Sequence, residues 1–318
     1  MRRFLFWLLP AFVGACGSGG SGAPSDLSSF SPILRFERHK TLGSSGTAGG
    51  QFDRPTGLTL DYRGNLYVVD AGNNRIQQFG GGRFVLEFGI FGSEGGRFIE
   101  PVKASAAHGF TVTVTDSRNE RWQSFDLNGN FLAGSVESAD ERLGIPWGIA
   151  RGQDGRLFLT NVQDHTIVVV GLDGEVEFDF GGFGAGRGQL NRPMGIALSR
   201  AQTLYVADTG NHRIQIFDVH GGSLGAWGRR GSGRGMFEGP QGVAVDSRGR
   251  VYVADTGNHR VQVFDASGAW LSTLPETDSH GEFLHPGDVA ADGDRLWVAD
   301  TGHNRVLEFR VIDDTVPH

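Results

Sequence analysis

Four aspartates stand five residues ahead of an arginine: Asp70 with Arg75, Asp208 with Arg213, Asp255 with Arg260 and Asp300 with Arg305. Each pair sits in nearly the same phrase, LYVVDAGNNRIQQF at 66–79, LYVADTGNHRIQIFD at 204–218, VYVADTGNHRVQVFD at 251–265 and LWVADTGHNRVLEF at 296–309. Carboxylates, guanidinium groups and the imidazoles of His212, His259 and His303 could bind a ligand, hold a metal or move a proton. One reaction needs its constellation only once, whereas a phrase repeated along a chain marks an architectural unit. The recurrence therefore assigns the aspartates to capping their own loops and the arginines to a carboxylate in the same or the next unit. The three histidines are expected to face water, and none of these groups is expected to be catalytic.

A proline opens each unit: Pro55, Pro101, Pro146, Pro193, Pro240 and Pro286, at gaps of 46, 45, 47, 47 and 46 residues. That period lies in the range of propeller blades, roughly 40 to 50 residues. In the fifth unit, residues 242–246, 251–254 and 260–264 read as three short strands, with a fourth near Ala269, Trp270 and Leu271. Residues 255–259 are a loop, in which Asp255 can accept from backbone amides and Gly257 can take a positive φ. Val251, Tyr252, Val253 and Ala254 are apolar on both faces, which suits a sheet stacked between neighbours. The 51 glycines follow no three-residue period and belong to tight turns between short strands. The expectation is an all-β, six-bladed β-propeller of four-stranded antiparallel blades over residues 32–312. A linear solenoid would need distinct caps at both ends, and none is visible.

The sixth unit stops at Phe309 with only RVIDDTVPH after it, so its fourth strand is missing. Residues 34–43 resemble the fourth-strand segment at 84–89 (FVLEFG). They are expected to complete the last blade and join the two ends of the ring.

The string P-x-G-[VI]-A followed by [LV]-[YW]-V-A-D-T-G-[NH]-[NH]-R-[VI] resembles the NHL repeat, over about residues 52–309. Units one, four, five and six match well. Unit two has Lys103 where a glycine belongs and residues 116–121 (DSRNER) in the loop; unit three has NVQDHT at 161–166, without the aspartate or the arginine. NHL propellers commonly serve as interaction platforms, so the resemblance implies a non-catalytic binding or scaffold module. In such a ring, function belongs where the units differ. The residues after the prolines, Thr56, Val102, Trp147, Met194, Gln241 and Gly287, would stand near one channel mouth. Two residues after the proline, Lys103 and Asp288 replace the usual glycine. Lys103, Trp147, Met194, Gln241 and Asp288 are the candidate rim for a protein, peptide or small-molecule ligand.

The competing class is an enzyme. NHL propellers include peptidyl-hydroxyglycine amidating lyases, and that resemblance implies zinc held by histidines near the channel. A zinc site needs about three convergent ligands; the rim has no histidine, and only His108 and His285 stand near the inner strands. No G-x-S-x-G elbow and no D-x-[DN]-x-[DN]-G calcium loop occurs. GSGG at 17–20 and GRRGSGR at 228–234 do not open a helix, so neither resembles a phosphate cradle. No metal or other cofactor is expected. With 29 basic against 36 acidic residues the net charge is −7, and it falls by two to −9 without Arg2 and Arg3. Nucleic acid is disfavoured as a partner, because phosphate binding needs a basic footprint.

The first sixteen residues, MRRFLFWLLPAFVGAC, carry two arginines, a short apolar run and small residues before Cys16. This reads as a secretory leader over 1–15; the run is shorter than the about 20 apolar residues that span a bilayer. VGAC resembles the lipobox of bacterial lipoproteins, and Cys16 is the single cysteine of the chain. Cys16 is therefore the expected lipidation site, with residues 17–31 as a flexible Gly/Ser tether. Gly17 stands where an aspartate would favour inner-membrane retention. The expected localisation is thus the outer membrane, facing the periplasm, with the membrane as a partner through the lipid only.

Overall fold

The computed structural model describes residues 34–106, 110–135, 140–274 and 283–313. The expected leader, Cys16, the tether at 17–31 and His108 lie outside the described residues. Six four-stranded antiparallel sheets follow one another along the chain. Blade 6 takes its outermost strand from the start of the described chain, β1 (Leu34–Leu42). Blade 1 comprises β2 (Pro55–Leu60), β3 (Leu66–Asp70), β4 (Arg75–Gly80) and β5 (Arg83–Phe88); blade 2, β6 (Lys103–Ser105), β7 (Thr111–Asp116), β8 (Arg121–Asp126) and β9 (Phe131–Gly134). Blade 3 comprises β10 (Pro146–Arg151), β11 (Leu157–Asn161), β12 (Thr166–Val170) and β13 (Val176–Gly181); blade 4, β14 (Pro193–Leu198), β15 (Thr203–Asp208), β16 (Arg213–Asp218) and β17 (Ser223–Trp227). Blade 5 comprises β18 (Gly242–Val245), β19 (Val251–Asp255), β20 (Arg260–Phe264) and β21 (Trp270–Leu274); blade 6, β22 (Pro286–Asp292), β23 (Arg295–Asp300) and β24 (Arg305–Asp313) with β1. The fold is the expected six-bladed β-propeller.

Alternation along the second strand of each blade explains why its sequence is apolar throughout. In β3, Leu66 and Val68 face blade 6, packing with Trp297, Ala299 and Val306. Tyr67 and Val69 point the other way, to Val112, Val114 and Phe125 of blade 2. Period-two side-chain geometry thus feeds two interfaces from one strand. Each of the six blade–blade seams is a separate apolar cluster, and no blade buries its faces without both neighbours.

The ring closes through β1. It pairs antiparallel with β24 from Leu34 opposite Asp313 to Leu42 opposite Val306, with an irregularity between Arg38 and Lys40. Leu34 and Leu42 are buried at its two ends, the first in the seam toward blade 5 and the second in the seam toward blade 1. The expectation for residues 34–43 holds.

Polar joints fix the loops at the proline-bearing end of the inner strands. Asp70, Asp116, Asp208, Asp255 and Asp300 are fully buried. Each takes a 2.7–2.9 Å ion pair from the arginine five residues on. Each also accepts, at 2.7–2.9 Å, a backbone N–H of the loop entering its own blade. The guanidinium reaches onward: Arg75 donates to the carbonyls of Thr47, Ala48 and Gln51. The assignment of these pairs to structure therefore stands, and blade 2 keeps the pair as Asp116 and Arg121 despite its altered loop.

The residue before each of these arginines, at the end of a 3-10 turn, is left-handed. Asn74, His212, His259 and Asn304 have φ of 52° to 55°, and His165 of blade 3, with φ 62°, plays the same part. In blades 1, 3, 4, 5 and 6 its side chain accepts at 2.7–3.0 Å the backbone N–H just before the proline of the next blade. His212 and His259 are thus half-buried inter-blade acceptors, not groups facing water. Their Nδ1 atoms accept, so the ring proton sits on Nε2. Asparagine does the same job in blades 1 and 6, and tolerates the left-handed region. In urea denaturation, His259→Ala is expected to lose about 1 kcal/mol, the worth of one hydrogen bond. His259→Asn is expected to stay within about 0.5 kcal/mol of the parent; equal losses would show that the imidazole matters for another reason.

Candidate functional site

The six inner strands β2, β6, β10, β14, β18 and β22 surround a central channel. Two residues after the opening proline, neighbouring inner strands approach so closely that a side chain does not fit. A Cβ on Gly195 would lie 2.5 Å from the Gln241 carbonyl oxygen, and one on Gly242 would lie 2.7 Å from the Asp288 Cα. Four blades therefore carry glycine here, and the two departures are Lys103 and Asp288.

Lys103 and Asp288 meet. They belong to blades 2 and 6, and the contact spans the inner strand of blade 1 between them. Lys103 Nζ lies 2.8 Å from Asp288 Oδ1 and donates to the carbonyls of Thr56 and Gly287 at 2.9 and 2.8 Å. Asp288 Oδ2 accepts the Leu58 N–H at 2.9 Å. Both residues are 6% exposed. Burial pushes the lysine down and the aspartate up from their ordinary ranges, and each offsets the other's shift by its opposite charge. The pair lines a small void of about 50 Å³ shared with Gly148, Ile149, Gly195 and Ile196. That is room for water, not for an organic ligand.

The other candidate rim residues are not brought into that void. Met194 is buried, while Trp147 and Gln241 are half-exposed. The main chain of Trp147 and Met194 carries structure: Thr115 Oγ1 donates to the Trp147 carbonyl and Thr160 Oγ1 to the Met194 carbonyl, both at 2.7 Å. The five residues thus divide into an internal ion pair, Lys103 with Asp288, and a mouth comprising Trp147, Met194 and Gln241. Among the described residues no group of three or more His, Cys, Asp or Glu side chains is placed to hold a metal. His285 meets His259 edge to face with ring centroids 4.4 Å apart.

Residues that sequence reasoning passed over stand on the loops entering the blades. Phe91 and Phe183 occupy equivalent places there, opposite Phe98 and Leu190 in matching isolated bridges, where the corresponding residues are Ser45 and Arg230. Phe91 is 65% exposed and Phe183 68% exposed, and Ile90 beside Phe91 is exposed too. His165 packs against Phe183 at 5.0 Å. The loop that carries Phe91 also bears surface ion pairs, Glu100 with Arg54 and Arg118 at 3.0 Å each; the Arg54 hydrogen bond, with that of Arg118 behind it, holds Glu100 below the usual carboxylate range. Aligning the entering loops of the six units would have exposed both phenylalanines.

Residues 52–79, 190–217, 237–264 and 283–309 match the NHL repeat family. Four of the six blades thus match the NHL repeat. The Drosophila melanogaster protein brain tumor is 25% identical over 146 residues, which cover 45% of this chain and 14% of that protein. Human E3 ubiquitin-protein ligase TRIM32 is 27% identical over 135 residues, covering 39% of this chain and 20% of that protein. The match is thus to a small part of each relative. Among solved structures, virginiamycin B lyase from Staphylococcus aureus superposes with a TM-score of 0.58 at 16% identity, over 87% of this chain and 88% of the other. A gluconolactonase from Xanthomonas campestris gives 0.62 at 18% identity, over 82% and 88%. At such identity these likenesses show a shared propeller fold and nothing of its use.

The propeller's internal pair makes a direct prediction. Lys103→Met strands the Asp288 charge and is expected to lower unfolding free energy by about 3–5 kcal/mol. The double variant Lys103→Met/Asp288→Leu removes both charges and should regain most of that loss in the same urea titration. A double variant as unstable as the sum of its singles would show that the two groups are not coupled.

Proposed function

We propose that this NHL propeller is a protein-binding or scaffold module, held at the cell-envelope membrane by a lipid on Cys16. The observation that supports binding is the display of Ile90, Phe91 and Phe183 on the entering loops, at the end of the channel where Trp147 is half-exposed. Aromatic groups that stay in water in the free protein have the makeup of interface anchors. The loops that carry Phe91 and Phe183 are clamped by Arg121 and Arg213, so little ordering entropy opposes docking. A relative that is an E3 ubiquitin-protein ligase acts on proteins by its name, which agrees with a protein partner here. The acidic balance of the chain speaks for a protein over nucleic acid.

The lipid part rests on the leader-like residues 1–15 and on the single cysteine after VGA. The placement in the outer membrane, facing the periplasm, rests on Gly17.

The test captures partners from envelope extracts with the full-length chain. The parent is expected to retain a partner that the Phe91→Ala/Phe183→Ala variant loses and that Trp147→Ala retains more weakly; unchanged capture by both variants would end the proposal. Separately, Cys16→Ser should move the protein from the membrane fraction to the soluble one. Persistence in the membrane fraction would end the lipid assignment.

A further inference from the structure

The far end of the channel, away from the prolines, is wider. The last inner-strand residues line a cavity of about 190 Å³. Its wall mixes aliphatic side chains, Leu60, Ile149, Ile196, Leu198, Val243 and Val289 among them, with polar atoms of the strand ends that make up the larger share of the exposed lining. Thr59 and Ser105 add two hydroxyl groups, and one lining residue is charged, Arg151. The symmetry of the repeat makes this arginine conspicuous. Five residues after the proline, the other blades carry Leu60, Ala106, Leu198, Val245 and Ala291. An arginine has replaced an aliphatic residue at one of six equivalent places.

Arg151 also differs from the other well-buried arginines of the ring. Arg75, Arg121, Arg213, Arg250, Arg260 and Arg305 each hold an aspartate at 2.6–2.9 Å. Arg151 has no carboxylate partner among the described residues. Among the described residues its guanidinium makes one hydrogen bond, from Nη2 to Thr113 Oγ1 at 2.6 Å, and its Nε is buried without an acceptor. Burial alone pushes it below the ordinary guanidinium range, with no negative charge acting against that shift. A guanidinium stays ionised in proteins. A desolvated cation without a counter-ion is unfavourable until something negative is brought to it.

We infer that this end of the channel binds a small aliphatic monocarboxylate, with its carboxylate on Arg151 and its hydrocarbon body against the aliphatic side chains of the wall. One cation balances one negative charge, and a dianion's second charge would meet no further cation among the described lining residues. Guanidinium donors match a carboxylate in geometry. The cavity is smaller than the roughly 300–1,000 Å³ of drug-sized sites, which sets the ligand at a few carbons. This site lies at the opposite end of the inner strands from the mouth that Trp147 borders, and it is independent of protein binding there.

Hexanoate is the probe, titrated calorimetrically into the full-length protein. Saturable binding is expected in the parent, with Arg151→Leu weaker by at least about tenfold, the worth of a charged hydrogen bond. Arg151→Leu restores the residue of blades 1 and 4, and a thermal melt checks that it folds. In the parent itself, the Arg151 Nε–H resonance should move as hexanoate saturates, which needs no variant. 1-Hexanol should bind more weakly, and so should succinate and inorganic phosphate. No saturation by hexanoate in the low-millimolar range, an unmoved Arg151 resonance, or equal binding by Arg151→Leu would overturn the site. Equal binding of 1-hexanol would remove the role of charge, and equal binding of phosphate would remove the carboxylate assignment.

Discussion

The buried aspartate of each regular blade is the joint on which the ring depends. A carboxylate with no water around it is costly unless every lone pair is answered. Here it is answered by an arginine, a loop amide and, in blades 1, 2, 4 and 5, the amide groups of an asparagine and a glutamine, such as Asn73 and Gln77 around Asp70. The arginine then spends its remaining donors on carbonyls of the entering loop. One charge thus organises the turn between the second and third strands and the loop that reaches the inner strand. Those loops carry Phe91 and Phe183. The display surface is rigid because the charge beneath it demands so many partners.

Blade 3 shows what happens when the joint is neutral. Asn161 stands in place of the aspartate and bonds the Arg142 carbonyl and Asp164. Its entering segment carries a separate 3-10 turn, Glu141–Leu143, capped by Asp140. Arg151, the charged residue at a place where the other five inner strands are aliphatic, belongs to this same blade, as does Trp147.

Much of the architecture was legible because it repeats. The proline spacing, the glycine two residues later and the D-T-G-N-H-R phrase recur, and each recurrence answers a local need: a tight approach, a capped turn, a paired guanidinium. The strand at 34–42 could be placed because the last unit lacked a partner for β24. The Lys103–Asp288 pair could not be foreseen as a pair. Both residues were noticed as departures from glycine, but their contact runs across the closed ring and across an intervening blade. His303 is exposed as expected, whereas His212 and His259 were misjudged for a related reason. Their acceptor role depends on an amide of the next blade, and period-based reading treats blades one at a time. Arg151 was visible only by comparing the ends of the inner strands, where an aliphatic residue is the norm.

The strand borrowed from the front of the chain has a consequence for synthesis. Leu34 lies opposite Asp313, so the last sheet is finished by partners made at opposite times on the ribosome. Until the final strand emerges, the earliest one has no edge to pair with, and the seams on both sides of blade 6 stay open. Contacts so distant along the polymer form late and slowly. The ring therefore stays an unsealed arc until β24 is made, however much of it is already in place.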